Sequence, residues 1–229
     1  MFFWTEDSIE WYRAAAQAGT FHADLAQILL SKIEKDESVC ELGCGLGYLA
    51  AELAKGCHSV LAVDTDARAL AVLRERQIEN VTILCGDAHA LPPDVQCDTM
   101  VLCFFGRLTE NDNFDRYFAH CTRRLIAIVN SSTQSVISPT GKSRPEKERS
   151  PQIAAFLQAR NVPFHLQETT LSFGQPFKTQ TEAQAFMRHY DKNSTEEQIK
   201  AHAKADLLKT DDGYYLPYQK KIGIFTVEK

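Results

Sequence analysis

No run of this 229-residue chain approaches the roughly 18 consecutive apolar residues of a membrane-spanning helix. The N-terminus, MFFWTEDSIEW, carries acids where a secretory leader needs a basic start and a long apolar centre. A basic excess is missing too. The formal charge is −5, which argues against the concentrated positive face that sequence-independent nucleic-acid binding requires. Seven cysteines, at positions 40, 44, 57, 85, 97, 103 and 121, contain no C-x-x-C pair, so neither a zinc site nor a disulfide framework is expected. They read as buried, reduced thiols serving as small hydrophobes. These absences point to a soluble, cytoplasmic protein without a metal. Its 44% hydrophobic and 24% charged residues are enough for one core.

What is present, from Ser38 to Asn130, is alternation. SVCEL, SVLAVD, VTILC, CDTMVLCFF and RLIAIVN are short, nearly continuous apolar runs, as expected for strands covered by helices on both faces. Between them lie helical patterns: about ten residues through Lys55, a segment capped by Asp66 with Leu70 and Leu73 on one face, and Phe114, Tyr117, Phe118 and Cys121 at i, i+3, i+4, i+7. Alternating strand and helix predicts a doubly wound α/β sheet. Upstream, residues 1–37 read as a helical cap, with a short helix around Ile9–Ala18, a break at Gly19, and a longer one carrying Phe21, Leu25, Ile28, Leu29 and Ile33. Downstream, 131–150 reads as a polar loop ending in Ser150-Pro151, an N-cap followed by proline. FHLQETTLSF is a strand candidate. Thr179 with Glu182 and Ser194 with Glu197 form capping boxes that open a helical insert of about 179–208. KKIGIFTVEK supplies a last strand, within about 219–228.

The first strand stops at ELGCGLGYLA. Glycines that end a strand and open a helix place bare backbone and a helix N-terminus beside a ligand. A dinucleotide site needs G-x-G-x-x-G/A, and here Tyr48 stands where the third small residue should be. Glu41, just before the loop, repels phosphate but suits a ligand carrying an ammonium and a sulfonium. Asp64, ending the second strand, is placed to accept from ribose hydroxyls, and Asp87, after the third, from an exocyclic amine.

In these residues the chain resembles the class I S-adenosylmethionine-dependent methyltransferases. The matching segments are Glu41-Leu42-Gly43-Cys44-Gly45-Leu46-Gly47, Asp64 in LAVDTD, Asp87 in CGDAHALP, and Asp98 to Val101. The resemblance covers Ser38 to Asn130, a cofactor-binding core. It implies a Rossmann-like, mostly parallel seven-stranded sheet with an antiparallel last strand. It also implies S-adenosylmethionine as cofactor, with S-adenosylhomocysteine as product. Glu41, Gly43, Gly45 and Gly47 would lie near the methionine moiety and ribose, and Asp64 at the ribose hydroxyls. Thr65 and Asp66 would sit beside the adenine, Asp87 and Ala88 at its amine, and Cys103, Phe104 and Phe105 near the reactive methyl. Asp66 also reads as an N-cap, and Asp98 as ordering a turn before its strand.

Methyl transfer from a sulfonium demands alignment, exclusion of water and, where needed, removal of a proton. The acceptor must therefore be sought in the flanks. Trp4, Trp11, Tyr12, Phe21 and His22 crowd one end, and Phe186, His189, Tyr190, Tyr214, Tyr215 and Tyr218 the other. Together they form a candidate aromatic lid over a small molecule. Tyr12, Phe104, Phe105, Tyr190 and Tyr214 are candidate acceptor contacts, and His22 or His189 a candidate base. Cys103-Phe104-Phe105-Gly106 replaces the [N/D]-P-P-[Y/F] motif of enzymes that methylate exocyclic amines. That disfavours this subset of macromolecular acceptors and leaves ribosomal or transfer RNA open, since many RNA enzymes lack the motif. A small-molecule acceptor is the first expectation, with nucleic acid not the expected partner, and an RNA or protein acceptor or a non-catalytic binding role are the alternatives. The loop basic residues Lys142, Arg144, Lys147 and Arg149, with Arg160 nearby, are broken by Glu146 and Glu148 and read as solvated.

Overall fold

The computed structural model describes residues 4–132, 135, 137–141 and 148–229. Five strands in the first 130 residues form the expected parallel layer: β1 (Ser38–Leu42), β2 (Ser59–Asp64), β3 (Val81–Cys85), β4 (Cys97–Cys103) and β5 (Cys121–Asn130). β6 (His165–Ser172) and β10 (Gln219–Glu228) complete a seven-stranded sheet of order β3-β2-β1-β4-β5-β10-β6. β10 runs antiparallel to both of its neighbours. The order reverses between β1 and β4, which opens a crevice at the C-terminal ends of the strands.

Helices α1 (Glu6–Ala18), α2 (Phe21–Leu30), α3 (Tyr48–Leu53), α4 (Ala67–Arg74), α5 (Asn113–Ala119) and α6 (Ser150–Ala159) flank the sheet. One apolar layer gathers α2, α3 and the Val101, Ile126, Ile128, Ile222 and Ile224 face; the other gathers α5, α6 and the Met100, Leu125, Phe225 face. Beyond β6, α7 (Gln180–Tyr190) and α8 (Glu196–Asp206) form the helical insert. They pack with a second, three-stranded sheet that sequence patterning does not reveal: β7 (Gln175–Phe177), β8 (Leu208–Thr210) and β9 (Gly213–Leu216), in the order β7-β9-β8.

Several local expectations change. Cys121 starts β5 rather than ending α5, and α3 has six residues, not ten. The helix expected at Ser194 is capped by Thr195, whose side chain accepts from Gln198 N–H. Ser150 does not cap α6. Its hydroxyl is buried without a partner against Gly223, where a Cβ would lie 2.2 Å away, and Arg149 takes the cap position. Asp98 lies inside β4 and ties the strand to its neighbours, accepting from Ser38 N–H and Oγ and from Thr122 Oγ1. Cys85, on edge strand β3, is exposed rather than buried.

At the opposite end of the sheet from the crevice, Glu37 has only 2% of its side chain exposed. Arg123 and Arg124 each bond it at 2.7 Å, as does Thr99 Oγ1. Removing one member of a buried ion pair strands the other charge. Glu37→Ala is therefore expected to cost roughly 3 kcal/mol in denaturant unfolding. A loss below about 1 kcal/mol, the range of exposed pairs, would show the cluster to be a surface feature.

Candidate active site

The glycine loop is built by its backbone. Gly43 (φ +69°), Gly45 (φ +55°) and Gly47 (φ +68°) are all left-handed. A Cβ on Gly43 would fall 2.0 Å from the Phe105 ring, and one on Gly45 would lie 3.0 Å from the Trp4 indole. No L-residue fits either place without strain. The loop is pinned from β2: Gly43 and Cys44 N–H donate to Val63 O, and Gly45 N–H donates to Asp64 Oδ2 at 2.8 Å. Asp64 Oδ1 accepts from Asp66 N–H at 2.9 Å, so one carboxylate joins the glycine loop to the start of α4. Asp66 caps α4 as expected and also accepts from Trp4 N–H, which brings the N-terminal segment onto the loop.

Gly86 N–H donates to Asp64 O, setting the end of β3 beside that of β2. Asp87 follows, exposed, with Oδ1 accepting from His89 N–H, and Ala88 is buried behind it. Thr65 lies exposed between the two acids. The structure thus brings Glu41, the glycines, Asp64, Thr65, Asp66, Asp87 and Ala88 to adjoining strand ends.

Glu41 is 2% exposed, and its Oε2 has no hydrogen-bond partner. Burial pushes its carboxyl up to about 8; the Ala50 N–H opposes this and the nearby Asp64 adds to it. A buried carboxyl oxygen without a donor beside a bare-backbone loop is suited to a ligand ammonium. The carboxylate acceptors therefore fit a ligand with an ammonium at one end and ribose hydroxyls at the other.

Tyr12 and His22 meet across α1 and α2, with Tyr12 Oη and His22 Nε2 hydrogen-bonded at 2.8 Å. Burial, with contributions from Cys103, Glu41, Tyr190 and Tyr48, raises the Tyr12 hydroxyl well above its usual value. Burial, then Lys220 and Arg76, lower the His22 imidazole to about 3. Both groups are neutral at ordinary pH. Phe21, Tyr48 and Phe173 surround His22 at ring separations of 5.2, 5.3 and 5.5 Å.

His189 lies elsewhere. It packs on Trp11 and Tyr190 on the insert side of α1, so the two candidate histidines do not share a site. Tyr214 sits in β9 within the insert's own apolar cluster, away from the glycine loop. Tyr190 belongs to that cluster as well, yet its hydroxyl influences Tyr12. Phe104, with φ +53°, turns from β4 toward Phe21, while Phe105 covers Gly43.

The expectation of a solvated charged loop changes at Glu148. Glu148 accepts from Leu108 N–H at 2.6 Å, from Thr109 N–H at 2.7 Å and from the Thr109 hydroxyl, tying the loop to the turn after Phe105. Arg160 pairs with Asp115 and lies over Phe114 and Phe156. Lys142, Arg144, Glu146 and Lys147 lie outside the described residues. Lys220, Arg76 and Phe173 were not anticipated as site residues. Lys220 is marked in the sequence only as the first residue of the KKIGIFTVEK run, inside β10.

Residues 39–126 match the family model described as a methyltransferase domain. The chain is 40% identical over 67 residues to a protein-L-isoaspartate O-methyltransferase from Bradyrhizobium sp., covering 27% of this chain and 31% of that one. It is 38% identical over 60 residues to ribosomal RNA small subunit methyltransferase A of Syntrophus aciditrophicus, covering 25% and 21%. The chain thus spans less than a third of the length of these curated relatives. Among solved structures, the YcgJ protein from Bacillus subtilis superimposes with a TM-score of 0.57 at 14% identity, covering 91% of this chain and 98% of that one.

Proposed function

We propose that this chain, which belongs to the class I S-adenosylmethionine-dependent methyltransferases, transfers a methyl group to a small-molecule acceptor. The observation that carries the reading is the partnerless Oε2 of Glu41 beside the left-handed glycine loop that Asp64 pins. Glu41 would hold the ammonium of S-adenosylmethionine and Asp64 its ribose hydroxyls. Thr65, Asp66, Asp87 and Ala88 would border the adenine, and Cys103 the methionine end. When bound, that cofactor supplies an electrophilic methyl on a cationic sulfur.

The protein's own part is positioning and exclusion of water. Tyr12, His22, Phe21 and Phe173 form an aromatic wall close to Glu41 and Cys103, and Phe105 caps the loop. Tyr12 and His22 orient an acceptor through their shared hydrogen bond. Enclosure by these rings supports a small acceptor. Among the described residues no helix is long and apolar enough to cross a membrane.

The test is transfer of labelled methyl from the cofactor into fractionated extract, paired with calorimetric binding of S-adenosylhomocysteine. Label is expected in the low-mass fraction. Label in RNA or protein, the acceptors named for the curated relatives, would replace the acceptor class. Tight binding with no labelled product would point to a non-catalytic binder, and absence of binding would remove the reading altogether.

A further inference from the structure

The turn after β4 and the end of β5 border a small hollow whose walls are Phe104, Phe105, Gly106, Val129, Asn130 and Glu148. Phe105 divides it from the glycine loop, since a Cβ on Gly43 would fall 2.0 Å from that ring. Phe104 joins it to the aromatic wall, its ring stacked 6.5 Å from Phe21. Phe104 holds φ at +53°, a conformation that is uncommon outside glycine and concentrates at ligand sites. The hollow thus adjoins the donor loop on one side and the aromatic wall on the other.

Asn130, the last residue of β5, has its Oδ1 buried without a hydrogen-bond partner. Nearly all buried polar atoms are paired, so an open acceptor in the wall of a hollow is a place for an incoming donor. The Asn130 backbone bridges to Arg149, which sets Glu148 beside it. Glu148 accepts from Leu108 N–H, Thr109 N–H and the Thr109 hydroxyl, so its partners among the described residues are neutral donors and none is a cation. Both polar side chains of the hollow therefore present oxygen acceptors. The Lys220 ammonium lies 3.4 Å from the centroid of Phe104 but is not part of this lining.

Resting on the methyl-transfer reading above, we propose that the acceptor carries a neutral nitrogen head with N–H bonds, a primary amide or an aromatic amine, and that this hollow receives it. Asn130 Oδ1 takes one N–H, and the Glu148 carboxylate attracts the other. An anionic head would meet the Glu148 carboxylate. A ketone or ether would leave Asn130 Oδ1 dry and unpaired. An ammonium would crowd the cation already on Phe104. The head serves as an anchor, and neither side chain exchanges a proton with it.

Benzamide, acetophenone and benzoate share a ring and a shape but differ in the head: an N–H donor, a methyl in its place, and an anion. Each is titrated, with NMR detection, into the whole chain saturated with S-adenosylhomocysteine. Benzamide is expected to bind about three- to tenfold tighter than acetophenone, the span of one neutral hydrogen bond, and benzoate weakest. Asn130→Leu should erase the benzamide preference and leave S-adenosylhomocysteine affinity unchanged. It should also keep or raise the melting temperature, because an apolar side chain replaces a buried oxygen that had no partner. Equal binding of benzamide and acetophenone by the unmodified protein, or no binding of benzamide, overturns the inference without recourse to any variant. So does a preference that survives Asn130→Leu. With S-adenosylhomocysteine bound, these results leave the methyl-transfer reading standing. If S-adenosylhomocysteine itself does not bind, that reading has failed, and the inference with it.

Discussion

Asp64→Ala is expected to weaken S-adenosylhomocysteine binding at least about a hundredfold, since charge-assisted hydrogen bonds to two hydroxyls contribute roughly 1.5–3 kcal/mol each. The same change frees Gly45 N–H and Asp66 N–H, which the carboxylate holds at 2.8 and 2.9 Å. The glycine loop then loses one of its ties to β2 as well as the ligand's partner, while the Gly43 and Cys44 bonds to Val63 O remain. Asp64→Asn should do nearly as much damage. Each carboxylate oxygen faces a backbone N–H, so an amide must turn its NH2 against one of them. Calorimetry measures the affinity, and thermal unfolding checks that the sheet survives. A dissociation constant within about threefold of the unmodified protein's would leave Asp64 a purely local tie.

The second large effect concerns protons. Burial raises the Glu41 carboxyl from its ordinary value near 4.5 to about 8, so at neutral pH the ligand-free protein carries it mostly protonated. An ammonium placed at Oε2 favours the carboxylate. Binding of S-adenosylmethionine at pH 7 is therefore expected to release about one proton, read from calorimetric enthalpies in buffers of different ionisation heat. Release should shrink above pH 8, where Glu41 is already ionised, and Glu41→Gln should abolish it.

Stability carries the same signature. Below pH 4.5 the folded and unfolded forms both hold the proton. Between there and about 8 only the folded form keeps it, so stability from this group is lost as pH rises and levels off above. Subtracting the unfolding curve of Glu41→Gln from that of the parent should isolate that slope. A flat difference would show that Glu41 ionises normally.

How much of this was legible follows from the range of the interactions involved. The strands of the main sheet announce themselves as apolar runs, and all of KKIGIFTVEK but its last residue lies within β10. Glu41, Asp64 and Asp87 were legible because each sits a few residues from a strand end, so its place follows from local chain direction. Tyr12 and His22 were legible as types, but not as a hydrogen-bonded pair, because the turn at Gly19 sets how α1 folds onto α2. His189 looked equally good in sequence and is separated from His22 by α1. Lys220 was hidden because its neighbours come from α2, the turn after β4 and the end of β6. The three-stranded sheet was hidden because its strands have only three or four residues, too few to show a period.

The placement of β10 between β5 and β6 also orders events in time. During synthesis each of β2 to β5 finds a neighbour already made, β2 and β4 beside β1, β3 beside β2 and β5 beside β4, but β6 has no partner in the sheet until β10 arrives. Its exposed edge must wait, and the contacts that settle it are distant in sequence and slow to form. Lys220 arrives on that same final strand. The glycine loop and the Asp64 tie that pins it are thus assembled early, and the β10–β6 edge is finished last.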